Sequence, residues 1–275
     1  MQSLGKAPRL ARLDGRPCAA DLQRYADDRR ARRNANWTPT ALSPVAAPHN
    51  AQCRAWWSAG TGVSPGTDGV PVDSWMDYSG FYLVQGTASA KPVFQSSGGP
   101  NTLPAVSFDG VDDYLEIGAA WAQFRTPLTV MVVCSSMQST ASFQIWSAMN
   151  TDSIFDYQGK ACHESSYNNW CVRNHQTAFG SSWGLKTLYF GWDWWDTQVW
   201  NDGVASTVGL TKGGSPARFQ DYAPRYVSMG YRSDYSNLFT GQISELVVFT
   251  GQLSERTRRC VELYFRTKYG NYQLT

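Results

Sequence analysis

The chain has 275 residues, a net charge of +2 and 17% charged residues, below the ordinary ~25% of globular proteins. With 42% hydrophobic residues, including 12 Trp, 14 Tyr and 12 Phe, it is too apolar for disorder and long enough to bury a core without disulfides or metal. The longest uncharged stretch, between Arg125 and Asp152, is broken by Ser139, Thr140, Ser142 and Gln144, so no hydrocarbon-crossing helix is expected, and collagen and coiled coil are excluded as well.

Residues 1–33 hold nine Lys/Arg against four Asp, so a basic head precedes a mildly acidic body. No apolar run of seven or more follows those basic residues, which argues against a secretion signal. The segment 21–33 reads as a short helix with a thin apolar stripe of Leu22, Tyr25 and Ala26, and 34–50, with Pro39, Pro44 and Pro48, as an extended linker. Arg24, Arg29, Arg30, Arg32 and Arg33 are either a solvated helix face or an arm that docks onto an acidic partner. Tyr25, a single aromatic among them, is taken up by the apolar stripe, so no aromatic interleaving supports base contact and a nucleic-acid role is not favoured.

From about residue 52 the pattern turns to β: short runs of Val, Tyr, Phe, Trp and Thr alternate with Gly, Pro, Asn and Asp clusters. Strands are predicted over 82–84, 105–108, 114–117, 128–135, 143–148, 153–157, 186–192, 198–200, 226–230 and 241–249, and 158–183 as an exposed loop. Asn201-Asp202-Gly203 is hairpin-turn chemistry between Trp200 and Val204. A single helix closes the chain: Ser254 caps it, Glu255 complements its dipole, Cys260, Val261, Tyr264, Phe265 and Lys268 follow at helical spacing, and Gly270 stops it. It is expected to pack on the sheets, although Arg256, Arg258 and Arg259 lie on it. The expected fold is all-β, a β-sandwich or jelly roll over 51–275 with a C-terminal helix and the basic arm and linker of 1–50 before it.

Four segments, in order, carry a family resemblance. Trp56-Trp57-Ser58 with Val72-Asp-Ser-Trp75-Met-Asp77-Tyr-Ser-Gly80, then the strand pair Pro104-Ala-Val-Ser-Phe-Asp-Gly-Val-Asp-Asp-Tyr-Leu-Glu-Ile117, then the hairpin Gln198-Val-Trp-Asn-Asp-Gly203-Val, then Phe239-Thr-Gly-Gln-Ile-Ser-Glu245-Leu-Val-Val-Phe through Leu253-Ser254 and Tyr264 to Lys268-Tyr-Gly270 are similar to concanavalin A-like, laminin-G-type jelly rolls. The match spans about residues 52–270. Asp77 suits a turn that bonds its carboxylate to following backbone N–H groups. Glu245 reads as a strand residue paired at an edge or with an arginine.

The resemblance implies lectin-like modules and glycan-cleaving relatives. Retaining hydrolysis needs two carboxyl groups ~5 Å apart, and the hydrolase branch draws them from an E-x-D-x-x-E or E-x-D-x-E run. Glu245 has no second carboxylate in Glu245-Leu-Val-Val-Phe, so a non-catalytic protein is expected. Gly62-Val-Ser64-Pro-Gly66 fits a nucleophile elbow in letters only, because Pro65 has no N–H to offer an oxyanion.

Relatives hold calcium at a sandwich edge, and the resemblance makes Asp109, Asp112 and Asp113 candidate ligands beside their role as turn caps. Cys162, His163, Cys171 and His175 lack zinc-ligand spacing, and a loop disulfide between Cys162 and Cys171 is open either way. Trp183, Trp192, Trp194, Trp195 and Trp200, with Asp193 and Asp196, offer indole faces for sugar rings and directional hydrogen bonds. They read either as a glycan platform or as packing in a Trp-rich sandwich.

A surface-type module without an export signal fits a bacteriophage virion component, anchored to other virion proteins by its arm, made in the cytosol and touching cell-surface glycan. The alternative is a secreted bacterial carbohydrate-binding module, and a glycan hydrolase is a more distant one.

Overall fold

The apolar runs pair into two antiparallel sheets. The computed structural model describes residues 52–78, 80–117, 127–136, 143–148, 152–157, 160–165, 171–175, 182–191, 198–206, 208–213, 227–229 and 238–270. The basic arm, with Arg24, Arg29, Arg30, Arg32 and Arg33, lies outside them, as does the virion reading built on it. In chain order the strands are β1 (Cys53–Ser58), β2 (Val63–Ser64), β3 (Ser74–Met76), β4 (Tyr82–Val84), β5 (Val93–Gln95), β6 (Ala105–Asp109), β7 (Leu115–Ile117), β8 (Leu128–Ser136) and β9 (Phe143–Ala148). There follow β10 (Asp152–Tyr157), β11 (Lys160–Ser165), β12 (Cys171–His175), β13 (Gly184–Phe190), β14 (Gln198–Asn201), β15 (Val204–Ala205), β16 (Val208–Gly213), β17 (Val227–Met229) and β18 (Thr240–Thr250). One helix, α1 (Glu255–Tyr269), ends the described chain.

The first sheet runs β15-β14-β13-β8-β18-β6-β5, with β1 also paired to β18, and the second runs β16-β12-β11-β10-β9-β17-β7-β4-β3-β2. They face each other across one core. The first contributes Trp57, Val106, Phe108, Val130, Val132, Leu188, Leu246 and Val248, and the second Trp75, Leu83, Leu115, Ile117 and Met229. The other face of the first sheet is buried too, because α1 lays Val261, Tyr264, Phe265 and Tyr269 over Trp56, Met131, Val133, Leu185, Val247 and Phe249. A sheet covered on both faces reads as continuous apolar sequence, which is why Val130–Cys134 and Leu246–Phe249 show no polar alternation. On the second sheet the alternation survives: Leu83 is buried between the exposed Tyr82 and Val84.

An irregularity in β18 reverses the facing of one key residue. The pairing with β8 shifts register between Ile243 and Glu245, so one extra residue, Ser244, enters the strand and its alternation changes phase. Ile243, Leu246 and Val248 therefore all face the sandwich core, whereas Val247, Phe249 and Glu245 face α1. β18 is an interior strand with β8 on one side and β1 and β6 on the other, and Glu245 pairs with Lys268 rather than an arginine. Both points correct the sequence expectation for Glu245.

The segment 158–183 is not wholly a loop, since it contains β11 and β12. Lys-Ala-Cys-His-Glu-Ser has weak strand preference, but β10 and β12 pair with β11 on either side, and such tertiary pairing overrides propensity. In that register Cys162 stands opposite Asn174 and Cys171 opposite Ser165. The two cysteines are thus displaced by three residues, ~10 Å along the strands, beyond the ~7 Å limit for a disulfide. Among the described residues no helix is long and apolar enough to cross a membrane.

Candidate functional site

The hairpin β14–β15 turns through Asp202 (φ 49) and Gly203 (φ 84), the two consecutive positive-φ residues of a tight hairpin turn, where Asp and Gly are favoured. The turn is fixed to β13, because Leu185 N–H donates to the Asp202 carboxylate at 2.7 Å and Asp202 N–H to the Leu185 carbonyl at 2.8 Å. Strand alternation sends Val199 into the sandwich core and Gln198 and Trp200 to the face shared with α1. The helix begins beside them. Ser254 Oγ accepts from Thr257 N–H at 3.2 Å, capping the first turn.

Between hairpin and helix start lies a cleft of about 380 Å³ lined by Gln198, Trp200, Gly203 and Ala205 on one side and Gln252, Leu253, Glu255, Arg258 and Arg259 on the other. Arg258 is 6% exposed. Its guanidinium carbon sits 4.5 Å from the Trp200 ring centroid, a cation–π contact, and its Nη1 donates to Glu262. Burial outweighs the Arg258 attraction and raises the Glu262 carboxyl above its ordinary value. Arg266 Nη2 donates to the Asp202 carbonyl at 2.5 Å, tying the hairpin to the helix, and Arg259 pairs with Glu255 at 2.6 Å on the rim.

Of the predicted platform, Trp200 alone reaches this cleft among the described residues, and it is a wall backed by a guanidinium rather than a bare plate. Trp183 packs against the apolar cluster under α1, and its place on the chain, four residues before the Thr187 that pairs with Trp200, sets it ~13 Å away along the strand. Trp192, Asp193, Trp194, Trp195 and Asp196 lie outside the described residues. Sequence reasoning missed Arg258, Arg259, Gln252 and Glu255 as lining residues. The legible signal was the i,i+4 spacing of Glu255 with Arg259 and of Arg258 with Glu262, which says nothing of the hairpin opposite.

Asp109, Asp112 and Asp113 each bring a carboxylate oxygen within 4.8 Å of the others, a set that can offer a hard cation oxygen ligands. The same groups organise the turn. Asp109 Oδ1 accepts from Val111 N–H at 2.7 Å and Asp112 N–H at 3.3 Å, and Asp113 Oδ2 accepts from Asp109 N–H at 2.8 Å. Burial first, then the Asp109 and Asp112 charges, push the Asp113 carboxyl up to about 6. Gly110 is required here, with φ 76 and a Cβ that would come within 1.7 Å of Thr240 Oγ1. Asp77 also caps as expected, accepting from Phe81 N–H at 2.7 Å and Trp56 N–H at 3.1 Å. Ser64 ends β2, exposed, and the next element is β3, not the helix an elbow needs.

A second polar cluster lies under the other end of α1. Glu245 is fully buried and its two oxygens accept from Trp56 Nε1, Tyr264 OH at 2.8 Å, Tyr269 OH at 2.5 Å and Lys268 Nζ. Burial and then the Glu245 charge raise the Tyr264 hydroxyl well above its ordinary range.

No protein-family model and no curated protein matches the chain. Solved structures do resemble it. Domain 4 of AbnA, a GH43 extracellular arabinanase from Geobacillus stearothermophilus, solved in complex with arabinotriose, superposes with a TM-score of 0.52 at 14% identity, over 76% of this chain and 98% of that one. The binding domain of Paraclostridial Mosquitocidal Protein 1 gives 0.52 at 9% identity over 78% of this chain, which spans 52% of that one. Trypanosoma rangeli sialidase gives 0.50 at 12% identity over 80% of this chain, which spans 34% of that one. At these identities the likeness defines a class of fold alone, an all-β sandwich.

Proposed function

We propose that the protein is a non-catalytic carbohydrate-recognition module on a concanavalin A-like jelly roll, and that sugar is held in the cleft between β14–β15 and α1. The observation that carries this reading is the cleft itself: an indole wall beside buried and rim-exposed hydrogen-bonding groups, the mixture that recognises a sugar ring by its apolar face and its hydroxyls. The arabinotriose bound to the similar domain of AbnA supports it. The cleft's carboxylates support a binding rather than a cleaving role. Glu255 on the rim and Glu262 beneath are each held in an ion pair by an arginine, which leaves neither as a free acid or nucleophile for a glycosidic bond.

Calorimetry with neutral and acidic oligosaccharides tests the proposal, run alongside a reducing-sugar assay. Trp200→Ala is expected to weaken binding at least about tenfold, the worth of a buried aromatic anchor, while Trp183→Phe leaves it unchanged. Binding that survives Trp200→Ala, or release of reducing ends, overturns it.

A further inference from the structure

The side of the cleft formed by Arg258 is better suited to an acid than to a neutral sugar. A guanidinium grips a carboxylate through two parallel N–H bonds. Arg258 spends Nη1 on Glu262 and a ring face on Trp200. Its Nε–Nη2 edge, the side-on pair of donors, meets no acceptor among the described residues, yet it is not sealed from solvent. The stack on Trp200 and the pair with Glu262 hold the plane of the guanidinium from two sides, so the edge is preorganised rather than free to swing.

The surrounding charge agrees. Among the charged residues that line the cleft, Arg258 and Arg259 outnumber Glu255, and Glu255 is already neutralised by Arg259. The positive end of the α1 dipole lies at the same rim, because residues 252–255 line it.

We infer that the Nε–Nη2 edge of Arg258, framed by Trp200 and the first turn of α1, takes the carboxylate of an acidic sugar, so that the cleft selects glycuronate-type residues over neutral ones. This rests on the carbohydrate reading above and narrows it to a ligand class.

The test compares trigalacturonate with its methyl ester, which keeps the ring and hydroxyls and removes the charge, on the full chain at fixed salt. The acid is expected to bind roughly tenfold or more tightly than the ester. Arg258→Lys, which keeps a cation for Glu262 but loses the fork, should abolish that preference. On the unsubstituted chain the Arg258 Nε–H resonance should move downfield with the acid and stay with the ester, a readout that needs no variant to fold. Equal affinity for acid and ester, or a preference that persists in Arg258→Lys, overturns the acidic-sugar inference and leaves the carbohydrate reading standing. If acid, ester and neutral arabino-oligosaccharide all fail to bind, both fall.

Discussion

The two ends of α1 rest on similar chemistry and come out differently. At the C-terminal end an indole (Trp56), a carboxylate (Glu245) and a cation (Lys268) meet with Tyr264 and Tyr269, and every carboxylate oxygen is saturated by donors. At the N-terminal end an indole (Trp200), a carboxylate (Glu262) and a cation (Arg258) also meet, but here the cation lines a cleft and gives only its Nη1 to a carboxylate. The contrast teaches that residue type does not separate a structural cluster from a binding one. What separates them is whether the donors are all spent.

The strongest way to break that contrast is to cut the closed end. Glu245→Ala leaves the Trp56, Tyr264 and Tyr269 donors unmatched and Lys268 without its counter-charge, in a fully buried place. Removing one partner of a buried pair costs ~3–5 kcal/mol, a fall in Tm of about 10 °C for a chain of this size. Urea and thermal unfolding measure it. A loss below ~1 kcal/mol would mean the network is not saturated as described.

The open end should respond less and with a pH signature. The Glu262 carboxyl is raised from an ordinary value of 4.5, mainly by burial. A raised carboxyl contributes stability that is full below its unfolded value and is lost as pH rises through the folded value. Glu262→Gln mimics the protonated form and titrates nowhere, so its deficit relative to the native chain should shrink between pH 4 and pH 8. The cost at pH 8 is expected near ~1 kcal/mol, a single hydrogen bond's worth, since the Gln carbonyl still accepts from Arg258 Nη1. A deficit that grows with pH would contradict the direction of the shift.

Much of the fold was legible because burial on two sides leaves an unmistakable trace. The runs 128–135 and 241–249, the Asn201-Asp202-Gly203 turn and the Ser254-to-Gly270 helix appear nearly as expected. The phase change at Ser244 was not legible, because a bulge is a property of paired strands, and the alternation Ile243, Glu245, Val247 looks unbroken on one chain. β11 and β12 escaped for a related reason: their residues owe strand conformation to their neighbours and not to their own preference. Of the site, Trp200 was visible as a sugar-suited side chain. Arg258 was visible only as a helical arginine, because the hairpin that turns it into a cleft wall comes from more than fifty residues earlier in the chain.

The smallest expected effect probes how local that cleft is. Ser254 holds the start of α1 by accepting from Thr257 N–H and, through its carbonyl, from Arg258 N–H at 2.9 Å. Ser254→Ala removes the first bond and keeps the second, a loss of ~1 kcal/mol typical of an N-cap. Hydrogen exchange should then quicken at Thr257 while the final turn, where Gly270 N–H donates to the Arg266 carbonyl at 2.9 Å, keeps its protection. That asymmetry is what a helix pinned by Glu245 at one end and by a cap at the other requires. Uniform loosening along α1 would instead make the helix one cooperative unit, and the open cleft would then draw its rigidity from the Glu245 knot about three turns away.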